Sequence, residues 1–204
     1  MKRRVFLALG LVVMSTSCGT TTLSAPLGIA GSIAVMPVNN LTADPLLVQG
    51  GGLIDRYIRR TGAVSVGDVL QSEARFRLQE KGFDVGDWTT QQTALKGRVP
   101  VSRESALELA RQSGMKSRLL YLEIRRWEPD SPTETRFVIV AVTASLIDAP
   151  TGQEIWSQHR TAAPVPTPGT ITLESAYVVA ARKVIVELLA PLRPAPVLRD
   201  TPSK

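Results

Sequence analysis

The sequence predicts an α/β (α+β) domain, a single mixed β-sheet of about five strands with helices packed on it, in the order β-α-β-α-β-β-β-α. Three observations carry this expectation. Short apolar, β-branched runs recur between clusters of turn residues. Three longer stretches each open on a hydroxyl residue suited to cap a helix and keep apolar residues on one helical face. In the second half, two β-rich runs flank a Pro-Thr-Gly turn, the pattern of an antiparallel hairpin.

Ile33-Ala34-Val35-Met36-Pro37-Val38 is the first expected strand, bounded by Gly31 and by the turn residues Asn39-Asn40, with Pro37 placing its end close by. Residues 41–64 read as a long loop insertion containing Gly50-Gly51-Gly52. Three glycines can form an anion nest, yet no Lys-Ser/Thr follows them and no strand directly precedes them, as a phosphate loop would require. Ser65 caps the first helix with Asp68 three residues on, and Val66, Val69, Leu70, Ala74 and Leu78 share its core face. Gly82 ends it, and Phe83-Asp84-Val85 begins a second short strand. After a polar loop, Ser102 caps a helix through Ala106, Leu107, Leu109 and Ala110 that stops at Gly114. Leu119 to Ile124 is the next strand, with Leu120, Leu122 and Ile124 on one face and Tyr121, Glu123 and Arg125 on the other. Arg136 to Asp148 and Glu154 to His159 form the hairpin around Ala149-Pro150-Thr151-Gly152. Thr172 caps the last helix, to about Leu189, with Ala176, Val179, Lys183, Val186 and Leu189 or Leu192 near helical spacing and Pro191 and Pro194 beyond.

The N-terminus carries a different signal. Lys2-Arg3-Arg4 is a positive region, and Val5 to Met14 is an apolar run of about ten residues, half of the roughly 20 that a membrane-spanning helix needs. Residues 1–17 therefore read as a signal peptide. Ser15-Thr16-Ser17 leads to Cys18, the only cysteine of the chain, which excludes an intrachain disulfide. Residues 18–31, rich in Thr, Ser, Ala and Gly, read as a flexible tether, 32–192 as one domain, and 193–204 as a disordered tail. Cleavage further along, near Ser24-Ala25, is the alternative to processing at Cys18.

Ser17-Cys18 resembles the lipobox of bacterial lipoproteins, and the resemblance implies lipidation of the Cys18 sulfur and cleavage before it. Ser15 departs from the pattern, which usually has leucine three places before the cysteine. Acyl chains contribute about 0.8 kcal/mol per buried methylene, so two or three hold a protein durably. Gly19 stands where an aspartate would favour the inner membrane, and by the same resemblance points to the periplasmic face of the outer membrane. Arg3-Arg4-Val5-Phe6-Leu7 is similar to part of a twin-arginine export signal, so either export route stays open.

Two segments, Ile33 to Asn40 and Leu146-Ile147-Asp148-Ala149-Pro150-Thr151-Gly152-Gln153-Glu154-Ile155-Trp156, together with the element order, resemble a group of bacterial envelope lipoprotein domains. The group comprises the TolB amino-terminal domain, the curli secretion lipoprotein, penicillin-binding-protein activators and ABC-transport auxiliary lipoproteins. The resemblance implies a TolB-N-like fold over roughly residues 32–192. Its motifs are structural: Asp148 and Gly152 suit a turn and Trp156 suits packing on the sheet.

A chain of 204 residues with 44% hydrophobic and 21% charged residues is an ordinary globular composition. The formal charge is +6, and losing Lys2, Arg3 and Arg4 brings it to about +3, with the remaining arginines interleaved with acids, which argues against a nucleic-acid partner. Hydrolase chemistry needs a nucleophile beside a base, and the single histidine, His159, lies in an alternating strand without a Gly-x-Ser-x-Gly elbow. No Cys/His metal spacing or dinucleotide fingerprint is present, and Glu123, Glu128 and Asp130 read as scattered acids, so no catalytic residue, cofactor or metal is expected. The expected role is an accessory envelope component without catalysis, binding another envelope protein or a further copy of itself. The insertion, through Leu46, Leu47, Gly50, Gly51, Gly52 and Tyr57, is the expected docking loop.

Overall fold

The computed structural model describes residues 28–48, 64–170 and 172–195. Along the chain these form β1 (Gly28–Ile29), β2 (Ile33–Val35), β3 (Asn39–Asn40), β4 (Leu47–Val48), β5 (Val64–Ser65), α1 (Val66–Glu80), α2 (Trp88–Leu95) and α3 (Arg103–Gln112). Then come β6 (Arg118–Pro129), β7 (Phe137–Asp148), β8 (Glu154–Pro166), α4 (Leu173–Leu189) and β9 (Arg193–Pro194). The main sheet runs β2-β6-β7-β8, with β3 also paired to β6. β2 and β3 are parallel to β6, and the other pairs are antiparallel, so the sheet is mixed and five-stranded as the sequence predicts.

Alternation along β7 sorts the two faces. Val138, Val140, Val142, Ala144 and Leu146 point into a core closed by α1 and α4, where Val69, Leu70, Ala74, Leu78, Ala181, Val184 and Leu188 meet them. On the other face a smaller cluster of Met36, Leu95, Ala106, Leu109, Leu119, Tyr121 and Ile147 sits under α2 and α3, and among the described residues no further element packs on the rest of that face.

Local chemistry sets the helix starts. Ser65 accepts from the Asp68 N–H while the Asp68 carboxylate accepts from the Ser65 N–H, so two otherwise unpaired amides are satisfied at once. Ser102 with Ser105 and Thr172 with Ser175 repeat the device at α3 and α4.

Several expectations are corrected. Asn39-Asn40 do not end the first strand. Pro37 has no N–H to continue the ladder, so the edge strand breaks there and resumes as β3, bridged by bonds from the Met36 N–H to the Leu120 carbonyl and from the Leu41 N–H to the Ile124 carbonyl. Phe83-Asp84-Val85 is no strand but a single parallel bridge, Ile33 to Val85. The polar loop beyond it contains α2, capped by Asp87, whose carboxylate accepts from the Thr90 N–H at 2.7 Å. Its buried Gln91 explains why it lacked an apolar signature. That amide and Gln71 of α1 both donate to the Val35 carbonyl, at 2.6 and 2.9 Å.

The face expected for α4 is also corrected. Val186 is 45% exposed, and Tyr177, Ala180, Ala181, Val184 and Leu188 are buried instead, because α4 packs on both α1 and the sheet and so buries a wider arc than one stripe. Order extends past the expected domain bounds of residues 32 and 192: Gly28–Ile29, assigned to the tether, pairs in parallel with Arg193–Pro194, assigned to the tail. Inside the expected 41–64 loop, β4 pairs with β5, and Leu46, 1% exposed with φ 51°, seats its side chain in the core while its carbonyl takes the Val66 N–H.

Candidate interface on the bare sheet face and the loop end

The half of the sheet that α2 and α3 leave uncovered carries a continuous polar chain across four strands. Asn39 on β3 donates to the Tyr121 hydroxyl at 3.1 Å, and that hydroxyl donates to Glu123 Oε1 at 3.2 Å. Arg125 bridges onward, donating from Nη2 to Glu123 Oε2 at 2.8 Å and from Nε to Thr143 Oγ1 at 3.1 Å, and Thr143 meets His159 Nδ1 on β8 at 3.0 Å. β-alternation puts all of these side chains on one face, and a register shift between Ile124 and Arg126 adds Arg126, ion-paired to Glu128 at 2.6 Å, to the same face.

The inner end of this chain is buried and the outer end wet. Burial, above all, pushes the Tyr121 hydroxyl up to about 12, with the Glu123 carboxylate adding to the shift against the lowering hydrogen bond from Asn39. Each link is a modest bond of about 1 kcal/mol net, but the joined set fixes side chains that would otherwise move freely, so the face is a preorganised pattern of donors and acceptors. Among the described residues no group of three metal-ligating side chains forms.

One end of the molecule adds to this surface. β6 ends there, at Pro129, together with the amino ends of α1 and α4, β4–β5 and the segments 130–136 and 167–170. The last two segments line an open cleft of about 730 Å³ and are tied by the Thr167 N–H to the Arg136 carbonyl and by the Thr167 and Thr170 hydroxyls to the Thr135 carbonyl. Below them Trp127 meets Tyr177 edge-on, with ring centres 6.1 Å apart, and the Trp127 Nε1 is buried without an acceptor. Burial first, then the Asp44 and Glu174 carboxylates, raise the Tyr177 hydroxyl above its ordinary value.

The sequence-expected site residues divide. Leu46 belongs to the core, whereas Leu47 is 43% exposed at this end. Gly50, Gly51, Gly52, Tyr57 and Cys18 lie outside the described residues. At the hairpin, Asp148 Oδ2 accepts from the Thr151 hydroxyl at 2.7 Å, Gly152 takes φ 74°, and Trp156 packs half-buried against the main core. The polar chain was legible in part: the alternation of Tyr121, Glu123 and Arg125 marked the face, but its links to Asn39, Thr143 and His159 are contacts between strands.

The two sheet edges differ. The β2 edge is closed by the Val85 bridge and by the Gln71 and Gln91 amides, whereas among the described residues the outer edge of the 13-residue β8 has no strand beside it.

No protein-family model matches the chain, and no curated protein does. Among solved structures the chain is similar to the PelC dodecamer from Paraburkholderia phytofirmans, at TM-score 0.52 and 18% identity over 85% of this chain and 96% of that one. A variant of that dodecamer in another crystal form gives 0.51 and 20%, over 83% and 94%. The lipoprotein GNA1162 from Neisseria meningitidis gives 0.45 and 18%, over 76% and 96%. The chain thus shares its fold with the PelC subunit.

Proposed function

We propose that this chain is a periplasm-facing lipoprotein, held at the outer membrane by acyl chains on Cys18, that binds another envelope protein through its loop end and bare sheet face and performs no chemistry itself. The observation that carries the reading is the polarity of the molecule. The described chain starts at Gly28, beside β9 and the carboxyl end of α4, while Leu47, the cleft of segments 133–136 and 166–170 and the outer stretch of β6 lie toward the other end. A protein tethered at one end presents the opposite end to its partners. The resemblance of Ser17-Cys18 to a lipobox, after a positive and then an apolar segment, supports an envelope setting.

Photo-crosslinking residues placed at Leu47 and at His159 in the full chain in cells test it. One discrete adduct with a second envelope protein is expected. A membrane-fractionating chain that yields no adduct from either position overturns the partner reading, and a Cys18→Ser chain that stays membrane-bound with unshifted mass overturns the anchor.

A second reading, a homo-oligomer, is favoured by the open β8 edge, since an unpaired strand edge is a template for pairing. PelC, the similar structure, is a dodecamer. Light scattering of the chain separates the readings: a single-copy mass removes the oligomer, and crosslinks solely between copies establish it.

A further inference from the structure

Two pairs of cations lie at the end of the molecule where the described chain begins. Gly28 lies in register with Arg193, whose guanidinium Nη1 donates to the Ala190 and Leu192 carbonyls at 2.7 and 3.0 Å. Lys81, just past α1, donates to the same two carbonyls at 3.2 and 3.4 Å. Beyond Ser32, the Arg118 N–H donates to the Ser32 carbonyl, and Arg118 and Lys116 line a shallow cleft of about 400 Å³ with Gly31, Ser117 and Asp148. Arg118 Nε is buried there with no acceptor.

Among the described residues none of these four has a carboxylate partner, while Arg77, Arg103, Arg125 and Arg126 all do. Of the acids nearby, Glu80 is offset by Arg77, while Asp84 and Asp148 keep their charge, Asp148 in register with Arg118, so four cations stand against two acids without a cation partner. The balance at this end is positive. Burial and then the charge of Arg193 pull Lys81 below the ordinary lysine value, so the cations already repel one another.

We infer that this end is a docking surface for the anionic headgroups of the bilayer, with Lys81, Lys116, Arg118 and Arg193 set against the lipid phosphates. The inference rests on the anchor reading. Nine residues, Gly19 to Leu27, separate Cys18 from Gly28, and fully extended they reach about 30 Å, no more than one domain diameter. So short a tether keeps the basic end at high local concentration over the membrane, where weak attraction suffices. Each basic residue close to an anionic surface multiplies binding by roughly fivefold, within a screening distance of about 8 Å at physiological salt.

The full lipidated chain, reconstituted in vesicles of phosphatidylcholine alone or with phosphatidylglycerol, tests this by the rate at which an amine reagent labels each lysine. Lys116 and Lys81 are expected to label at least about threefold more slowly on the anionic vesicles, with protection lost at about 0.5 M salt. Lys183, which donates to the Pro166 carbonyl at the opposite end, should label alike on both. A Lys116→Glu, Arg193→Glu chain is expected to lose the protection at Lys81. Equal labelling on both vesicles overturns the docking surface. Intact mass of the Cys18 peptide and flotation with neutral vesicles report the anchor separately. A chain that floats yet shows no charge-dependent protection sinks the docking alone. A chain without lipid sinks the anchor, and flotation about tenfold greater with anionic than with neutral vesicles would still uphold the basic surface.

Discussion

Tyr121 joins the core to the bare face: its ring packs in the cluster under α3 while its hydroxyl holds Asn39 and Glu123. Because burial raises the hydroxyl to about 12 in the fold, the folded state keeps it neutral where the unfolded chain, near pH 10, ionises. The stabilising contribution is therefore fully present below about pH 10 and is lost as pH rises toward about 12. Denaturant midpoints measured from pH 8 to 12 should fall more steeply for the native chain than for Tyr121→Phe, which itself costs about 1 kcal/mol at pH 8 by leaving Asn39 short of an acceptor. Tyr177 shifts in the same direction and adds to the slope that remains. Glu73 is the opposite kind of polar residue. It is 2% exposed between α1 and α4, with Arg77 at 2.7 Å and Arg182 at 4.0 Å. Glu73→Ala removes the buried acceptor that Arg77 and Arg182 share at the helix contact, while Arg77 keeps Glu80, and is expected to cost about 1–2 kcal/mol in urea unfolding, whereas Glu73→Gln, which keeps an acceptor, costs less.

Among elements, α1 shows why some of the fold was legible. Ser65 and Asp68 close a box within three residues, so the start of the helix is written in adjacent letters, and the same holds for Ser102, Thr172 and the Asp148–Gly152 turn. Ser65→Ala should lower stability by about 1 kcal/mol, and faster amide exchange in the first turn of α1 should exceed any change in α4. What stayed hidden depends on partners far along the chain. α2 is held by Leu95 in the smaller cluster, by Gln91 on the Val35 carbonyl, and by Arg75, which reaches the Gly86 carbonyl at 2.8 Å and stacks over Trp88. No window of eight mostly polar residues announces that. The buried arc of α4 was missed for a related reason: its apolar residues run around much of the helix, so periodicity alone could not choose which of them faces the sheet. The candidate interface fared likewise, since strand alternation marked the exposed face but only pairing across β3, β6, β7 and β8 joins Asn39 to His159.

For the whole molecule, the long strands run from the end where the described chain begins to the loop end, so under the proposed anchoring the sheet would act as a spacer between membrane and partner. β7 alone, 12 residues long, spans about 40 Å from its loop-end start to Asp148. Cys18 is the only cysteine, and a lipid on its sulfur leaves no free thiol, so one added cysteine takes a single fluorophore. With an acceptor dye in the bilayer, energy transfer from Ser117→Cys should be strong and from Thr133→Cys weak if the domain stands on its basic end. Lengthening the tether with about ten Gly/Ser residues adds roughly 30 Å of reach and should leave the Ser117→Cys signal unchanged on anionic vesicles, because the docked end and not the tether then sets the height. On neutral vesicles the same insertion should weaken it, since nothing but the tether restrains the domain there. Equal transfer from the two positions on the anionic membrane would mean that the sheet lies flat, and the loop end and bare face would then no longer be held out toward a periplasmic partner.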